Sequence, residues 1–94
     1  MLFVWDERKD RMNRRKHRLS FEAAVRVFED PNAISYRDCV VEGEQRWHTL
    51  GLAGGIVLLL VVHTSEEQNG EEEIRIISAR KASSRERALY NADR

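Results

Sequence analysis

Lys9, Asn13, Lys16 and His17 fall at i, i+4, i+7 and i+8. On a helix that spacing gathers two ammonium groups, an amide and an imidazole into one stripe. Such a stripe suits a nucleic-acid backbone, because successive N–H donors can meet successive phosphate oxygens. It equally suits an ordinary solvated face of a charged helix. Further along, Arg75 and Arg80 bracket an apolar segment, and Arg46 is available from a neighbouring one. A guanidinium binds phosphate through two parallel hydrogen bonds and keeps its charge at physiological pH. Next to a scissile phosphate it would stabilise the charge that develops there. The alternative is that these arginines pair with the many nearby carboxylates.

The histidines, His17, His48 and His63, are widely spread. No two have helical metal-ligand spacing, and one cysteine cannot build a zinc site, so no metal and no cofactor is expected. His63 ends an aliphatic run, where a core would meet the surface. Imidazole is the side chain best suited to proton transfer near neutral pH. The alternative for His63 is a strand-end histidine satisfied by a backbone carbonyl. Cys39 reads as a small buried apolar residue in a reducing compartment rather than as a nucleophile. Gly51, Gly54 and Gly55 are too irregular for a phosphate-binding glycine loop and lack the Lys-Ser/Thr that follows in such loops.

The elements that must position these groups can be read in order. Leu2 to Trp5 forms a short first strand. Asp6 caps a helix from about 7 to 17, with Glu7 in its first turn. Met12 is nearly the only apolar residue on that helix, so most of its surface must face water or a polar ligand. Ser20 caps a second helix that buries Phe21, Ala24, Val25 and Phe28, and Asp30-Pro31-Asn32 ends it. Strands follow over 33–41, 46–52, 56–64 and 73–79. Gly54-Gly55 and Asn69-Gly70 make the turns between the later ones. Strict alternation in the last strand would put Ile74, Ile76 and Ser78 on one face and Arg75, Ile77 and Ala79 on the other. Ser83 and Glu86 form a capping box that opens a C-terminal helix. The order β-α-α-β-β-β-β-α predicts an α+β fold, a small antiparallel sheet flanked by helices.

Ninety-four residues, 34% of them charged, fit one globular domain over 1–94. The formal net charge of zero conceals two basic blocks, at 8–18 and 75–87, separated by the acidic Glu66, Glu67, Glu71, Glu72 and Glu73. On one fold the basic blocks could join as a polyanion-binding surface, or simply be solvated. The apolar run Leu50–Val62 is too short for a membrane span and is interrupted by glycine. A cytoplasmic protein with no membrane partner is expected.

The segments WDERKDRMNRRKH at 5–17, SFEAAVRVF at 20–28, LLLVVHT at 58–64, IRIISARKAS at 74–83 and ERALY at 86–90 together resemble the BrnT toxin family. Positions matching the family pattern are Trp5, Lys9, Asn13, Lys16, His17, Phe21, Arg46, His63, Arg75, Arg80, Glu86 and Tyr90. Arg18 departs from it, since the family commonly has glycine after Lys-His. The resemblance implies a fold like that of the RelE-type ribonucleases, and cleavage of RNA that halts translation and growth. It also implies a BrnA-like antitoxin with a ribbon-helix-helix DNA-binding part, in a 2:2 complex that represses its own operon.

On that footing the chain is expected to be a metal-free endoribonuclease that uses the RNA 2′-hydroxyl. Arg75 and Arg80 would stabilise charge, His63 or His17 would move protons, and Lys9, Asn13, Lys16 and Arg46 would hold the RNA. The competing expectation is a non-catalytic RNA- or protein-binding regulatory module.

Overall fold

The computed structural model describes residues 1–92, so the last two positions of the expected 1–94 domain lie outside it. Strand β1 (Leu2–Val4) leads into helix α1 (Glu7–His17) and helix α2 (Phe21–Val25), which continues as a 3-10 turn over Arg26–Glu29. Strands β2 (Ile34–Val41), β3 (Glu44–Ala53), β4 (Val57–Gln68) and β5 (Glu71–Lys81) follow, and helix α3 (Ser84–Ala92) closes the order. The expected order of elements is therefore present. The caps act as the sequence requires: the Asp6 carboxylate accepts from the Arg8 N–H at 2.8 Å, and Ser20 Oγ accepts from the Ala23 N–H at 3.0 Å. The acidic block spans the β4–β5 hairpin. Its carboxylates ride on the extended ends of β4 and β5, which turn at Asn69-Gly70, both at positive φ.

The five strands lie in the order β1-β5-β4-β3-β2. β2 to β5 form an antiparallel meander, but β1 joins β5 in parallel, so the sheet is mixed rather than purely antiparallel. One sheet face is covered by α2 and the 3-10 turn, where Phe21, Ala24 and Val27 meet Leu59, Val61, Ile74, Ile76 and Ala79 in a closed core. The other face is covered only in part. There α3 sets Tyr90 against Leu50, Leu58 and Leu60. The rest of that second face is open.

β5 breaks the expected alternation. Val62 pairs with Ser78 but His63 pairs with Ile76, so Ile77 is an extra residue, a β-bulge. Side chains after it change face. Ala79 enters the core beside Ile74 and Ile76, and Ser78 leaves it. Arg75 and Arg80, which strict alternation would send to opposite faces, both emerge on the second face.

One further expectation is corrected. Cys39 is exposed, not buried. It lies on edge strand β2, where the register with β3 shifts between Arg37 and Val40 and turns the local side chains away from the sheet. The run Leu50–Val62 is split between β3 and β4, and among the described residues no helix is long and apolar enough to cross a membrane. Arg18 closes α1 with φ 59° and ψ 32°, in the left-handed region. That is a conformation glycine adopts without penalty, so a glycine at this position would be unstrained.

Candidate functional site

α1 docks by polar hooks rather than by an apolar face. Asp10 and Asn13 are its buried residues, whereas Met12 is 65% exposed. The Phe21 N–H donates to Asp10 Oδ1 at 2.8 Å. Asn13 Nδ2 donates to the carbonyls of Leu19 and Ala79, both at 2.9 Å, and its Oδ1 accepts from the Ala79 N–H at 3.1 Å. β1 is too short to cover this part of β5, and the Asn13 amide takes the place of the missing strand. Asn13, expected to hold RNA, thus has both its donor hydrogens spent on backbone.

The docked helix leaves a groove of about 770 Å³ between itself and β5. Lys9, Met12, Asn13, Arg15, Lys16 and His17 line it from α1, and Ile77, Ser78 and Arg80 from β5. The expected stripe of Lys9, Asn13, Lys16 and His17 is thus gathered on one wall, opposite Arg80. Arg15 joins from the same basic block, a contribution that stripe spacing alone did not select.

Arg80 is held by α3. Its Nη1 and Nη2 each donate to a different Glu86 oxygen at 2.8 Å. Glu86 also completes the capping box: Ser83 N–H donates to Oε1 at 2.8 Å and Glu86 N–H donates to Ser83 Oγ at 3.2 Å. The Arg80 hydrogen bonds, helped by those from Ser83, hold the Glu86 carboxyl down at about 2. Arg75 makes a similar fork to Glu44, reaching across β4. That contact depresses the Glu44 carboxyl, and the charges of Arg46 and Lys9 add to the effect. Arg46 Nη2 stands 3.8 Å from Glu44, while its buried Nε has no partner among the described residues. Arg46, Arg75 and Lys9 therefore converge around one carboxylate, and Arg80 sits further along β5 on the same face.

His63 does not belong to this surface. It is 4% exposed and points into the core face, 5.0 Å from the Phe28 ring. Its Nδ1 lies 3.1 Å from the Thr64 carbonyl, which can only accept, so Nδ1 carries the hydrogen. Nε2 then accepts from Thr49 Oγ1 at 2.7 Å, and Thr49 accepts from Ser35 at 2.7 Å. Burial pushes the imidazole below its ordinary range and keeps it neutral. The expected catalytic role for His63 is corrected on geometry, since substrate cannot reach it and both ring nitrogens are used. Among the described residues, no group of three or more His, Cys, Asp or Glu could hold a metal ion.

A group that spacing did not select lies on the open face. Tyr36, His48, Val62 and Ser78 are successive register partners across β2, β3, β4 and β5. The Tyr36 and His48 rings meet edge to face at 5.3 Å. His48 Nε2 stands 3.0 Å from Asp38 Oδ2, with its side chain 20% exposed. Desolvation raises the Tyr36 hydroxyl, and the charges of Glu86, Arg80 and Asp38 act on it too, which ties this rung to the Arg80–Glu86 pair. The available signal was the β2–β3 hairpin: its register, once fixed, sets Tyr36 opposite His48.

A family model described as the ribonuclease toxin, BrnT, of type II toxin–antitoxin systems matches residues 5–86. No curated protein matches the chain. Among solved structures, the 1.1 Å crystal structure of the Brucella abortus ribonuclease toxin BrnT is similar in fold. It has a TM-score of 0.60 at 22% identity, covering 89% of this chain and 100% of that one.

Proposed function

This chain belongs to the BrnT family of ribonuclease toxins of type II toxin–antitoxin systems, and we propose that it cuts RNA without a metal, on the face shared by Arg75 and Arg80. The family implies an RNA target and a protein antitoxin. The observation that carries the reading is the cationic groove between α1 and β5, which leads past Ser78 and Arg80 onto the open sheet face.

RNA supplies its own nucleophile, the 2′-hydroxyl. Its attack on the adjacent phosphate leaves a cyclic phosphate and a free 5′-hydroxyl, and builds charge on the phosphorus oxygens in between. Arg75 and Arg80 stabilise that charge. Each now bonds a carboxylate in the forked geometry that a phosphate would use, so exchanging one acceptor for the other needs little rearrangement. Lys9 and Lys16 hold the flanking backbone, Arg46 adds a third guanidinium, and His17 is the member of the expected histidine pair that lines the groove. The whole chain acts as one toxin domain of RelE-like type. In the cytoplasm it arrests translation and growth until a ribbon-helix-helix antitoxin neutralises it in a 2:2 complex.

The test is a gel of purified protein with a structured RNA and the matching DNA in EDTA, beside the Arg75→Ala/Arg80→Ala double variant. Cleavage of RNA alone, reduced at least about 100-fold in the folded variant, is expected. RNA that is bound but left whole, both alone and in a translating extract, would establish a binding module instead.

A further inference from the structure

We infer that His48, oriented by Asp38, is the general base that takes the proton from the RNA 2′-hydroxyl; the assignment rests on the ribonuclease reading above. Proton transfer needs an imidazole that substrate can reach, with one nitrogen held and the other free. His63 fails on both counts. His48 meets both. Asp38 Oδ2 stands 3.0 Å from Nε2, and its negative charge favours the tautomer that carries the hydrogen on Nε2. The lone pair is then on Nδ1, which has no protein partner among the described residues. The Tyr36 ring, edge to face at 5.3 Å, limits rotation of the imidazole. This arrangement of a base fixed in one tautomer by a carboxylate is the logic of catalytic dyads and triads in general.

The surroundings agree. His48 shares a sheet rung with Ser78, which lines the groove, and the next same-face rung carries Leu50, Leu60 and Arg80. Arg46 lies two positions before His48 on β3, and Arg75 reaches over the same face to Glu44. A phosphate drawn in by these guanidinium groups therefore lies over the strand that presents His48. In the step itself, Nδ1 accepts the 2′-hydroxyl proton as the 2′-oxygen bonds to phosphorus. The bond from phosphorus to the 5′-oxygen breaks, and that oxygen takes a proton from water. The hydroxide left behind is neutralised by the proton on His48, which regenerates the base.

The experiment measures single-turnover cleavage of a structured RNA, with and without ribosomes, for the unaltered protein and for His48→Ala, His48→Gln, Asp38→Asn and Asp38→Glu. Affinity for the same RNA carrying a 2′-deoxy cleavage site is measured in parallel, and folding is checked by circular dichroism. His48→Ala and His48→Gln are expected to cut about 100- to 10,000-fold more slowly with unchanged affinity. Added imidazole should restore part of the rate to His48→Ala. Asp38→Asn should lower the rate at saturating RNA without moving KM, and Asp38→Glu should recover much of it. Folded His48 variants that cut at the normal rate, or that lose affinity as much as rate, overturn the assignment. An unaltered protein that leaves RNA whole under every condition overturns the ribonuclease reading instead.

Discussion

Asn13 and Ala79 are joined by two hydrogen bonds, Nδ2 to the Ala79 carbonyl at 2.9 Å and the Ala79 N–H to Oδ1 at 3.1 Å. A side-chain amide here completes a sheet edge and anchors a helix that has little apolar surface of its own. Asn13→Leu would strand the Ala79 N–H and two carbonyls in a buried site. Each stranded group costs about 1–3 kcal/mol and the costs are not additive, so a total loss of about 2–4 kcal/mol is expected in urea unfolding with an unchanged m-value. Asn13→Asp should do no better, since a carboxylate cannot donate to either carbonyl. A loss below about 0.5 kcal/mol, as for an ordinary surface residue, would mean that these bonds do not anchor α1.

Ile77 sets the phase of everything after it in β5. Deleting it would leave Arg75, Ile76, Ser78, Ala79 and Arg80 in strict alternation with their present partners, so Ala79 would stay in the core and both arginines on one face. The deletion variant should therefore fold and keep its near-UV dichroism, and Ile77→Val should also fold normally and keep its RNA affinity. Loss of the fold on deletion would mean that the bulge itself is required, beyond the phase it sets.

Glu86 gives the fold an acid-sensitive joint. Its carboxyl titrates near 4.5 when unfolded and at about 2 in the native protein. The unfolded chain therefore binds the proton first, so the stability this group adds is complete above pH 4.5 and is lost as the pH falls toward 2. The Tm difference between the unaltered protein and Glu86→Gln should shrink across that window. A constant difference from pH 6 to 2.5 would mean that the Arg80–Glu86 fork is not held in solution.

Arg18 bears a left-handed conformation that costs a non-glycine residue about 1–2 kcal/mol. Glycine removes that strain but adds freedom to the unfolded chain, worth about 0.5–1 kcal/mol in the opposite sense. Arg18→Gly should thus stabilise by up to about 1 kcal/mol in denaturant unfolding. Arg18→Val, branched at Cβ, should destabilise.

His63 is neutral in the core, with its titration pushed below the ordinary 6.5. Below that pH the unfolded chain takes up a proton that the folded one resists, so stability falls as pH drops through 6.5. His63→Gln should flatten this part of the stability profile. If it folds, it should also cut RNA within about threefold of the normal rate, because an amide of similar reach can bond Thr49 and the Thr64 carbonyl. A cleavage loss of about 100-fold in a folded His63→Gln protein, the size expected of an acid–base group, would bring His63 back to the reacting atoms.

The sequence by itself determined what depends on neighbours within a few positions. Asp6, Ser20 and the Ser83/Glu86 pair start helices because their side chains reach N–H groups two or three residues on. Gly54-Gly55 and Asn69-Gly70 turn the chain because those residues tolerate positive φ. The aliphatic run became the central strand β4, buried on both faces along much of its length. The gathering of Lys9, Lys16 and His17 followed from helical spacing. What tertiary structure decided lies across long separations. β1 found β5 in parallel, and Asn13 met Ala79. One added residue at position 77 brought Arg75 and Arg80 to a common face, and strand pairing set Tyr36 and Asp38 beside His48. Register is fixed by the sum of packing across the whole sheet, and a shift of one residue exchanges its faces. Helical and turn periodicities carry no record of that sum, which is why His63 stood out in the sequence and His48 did not.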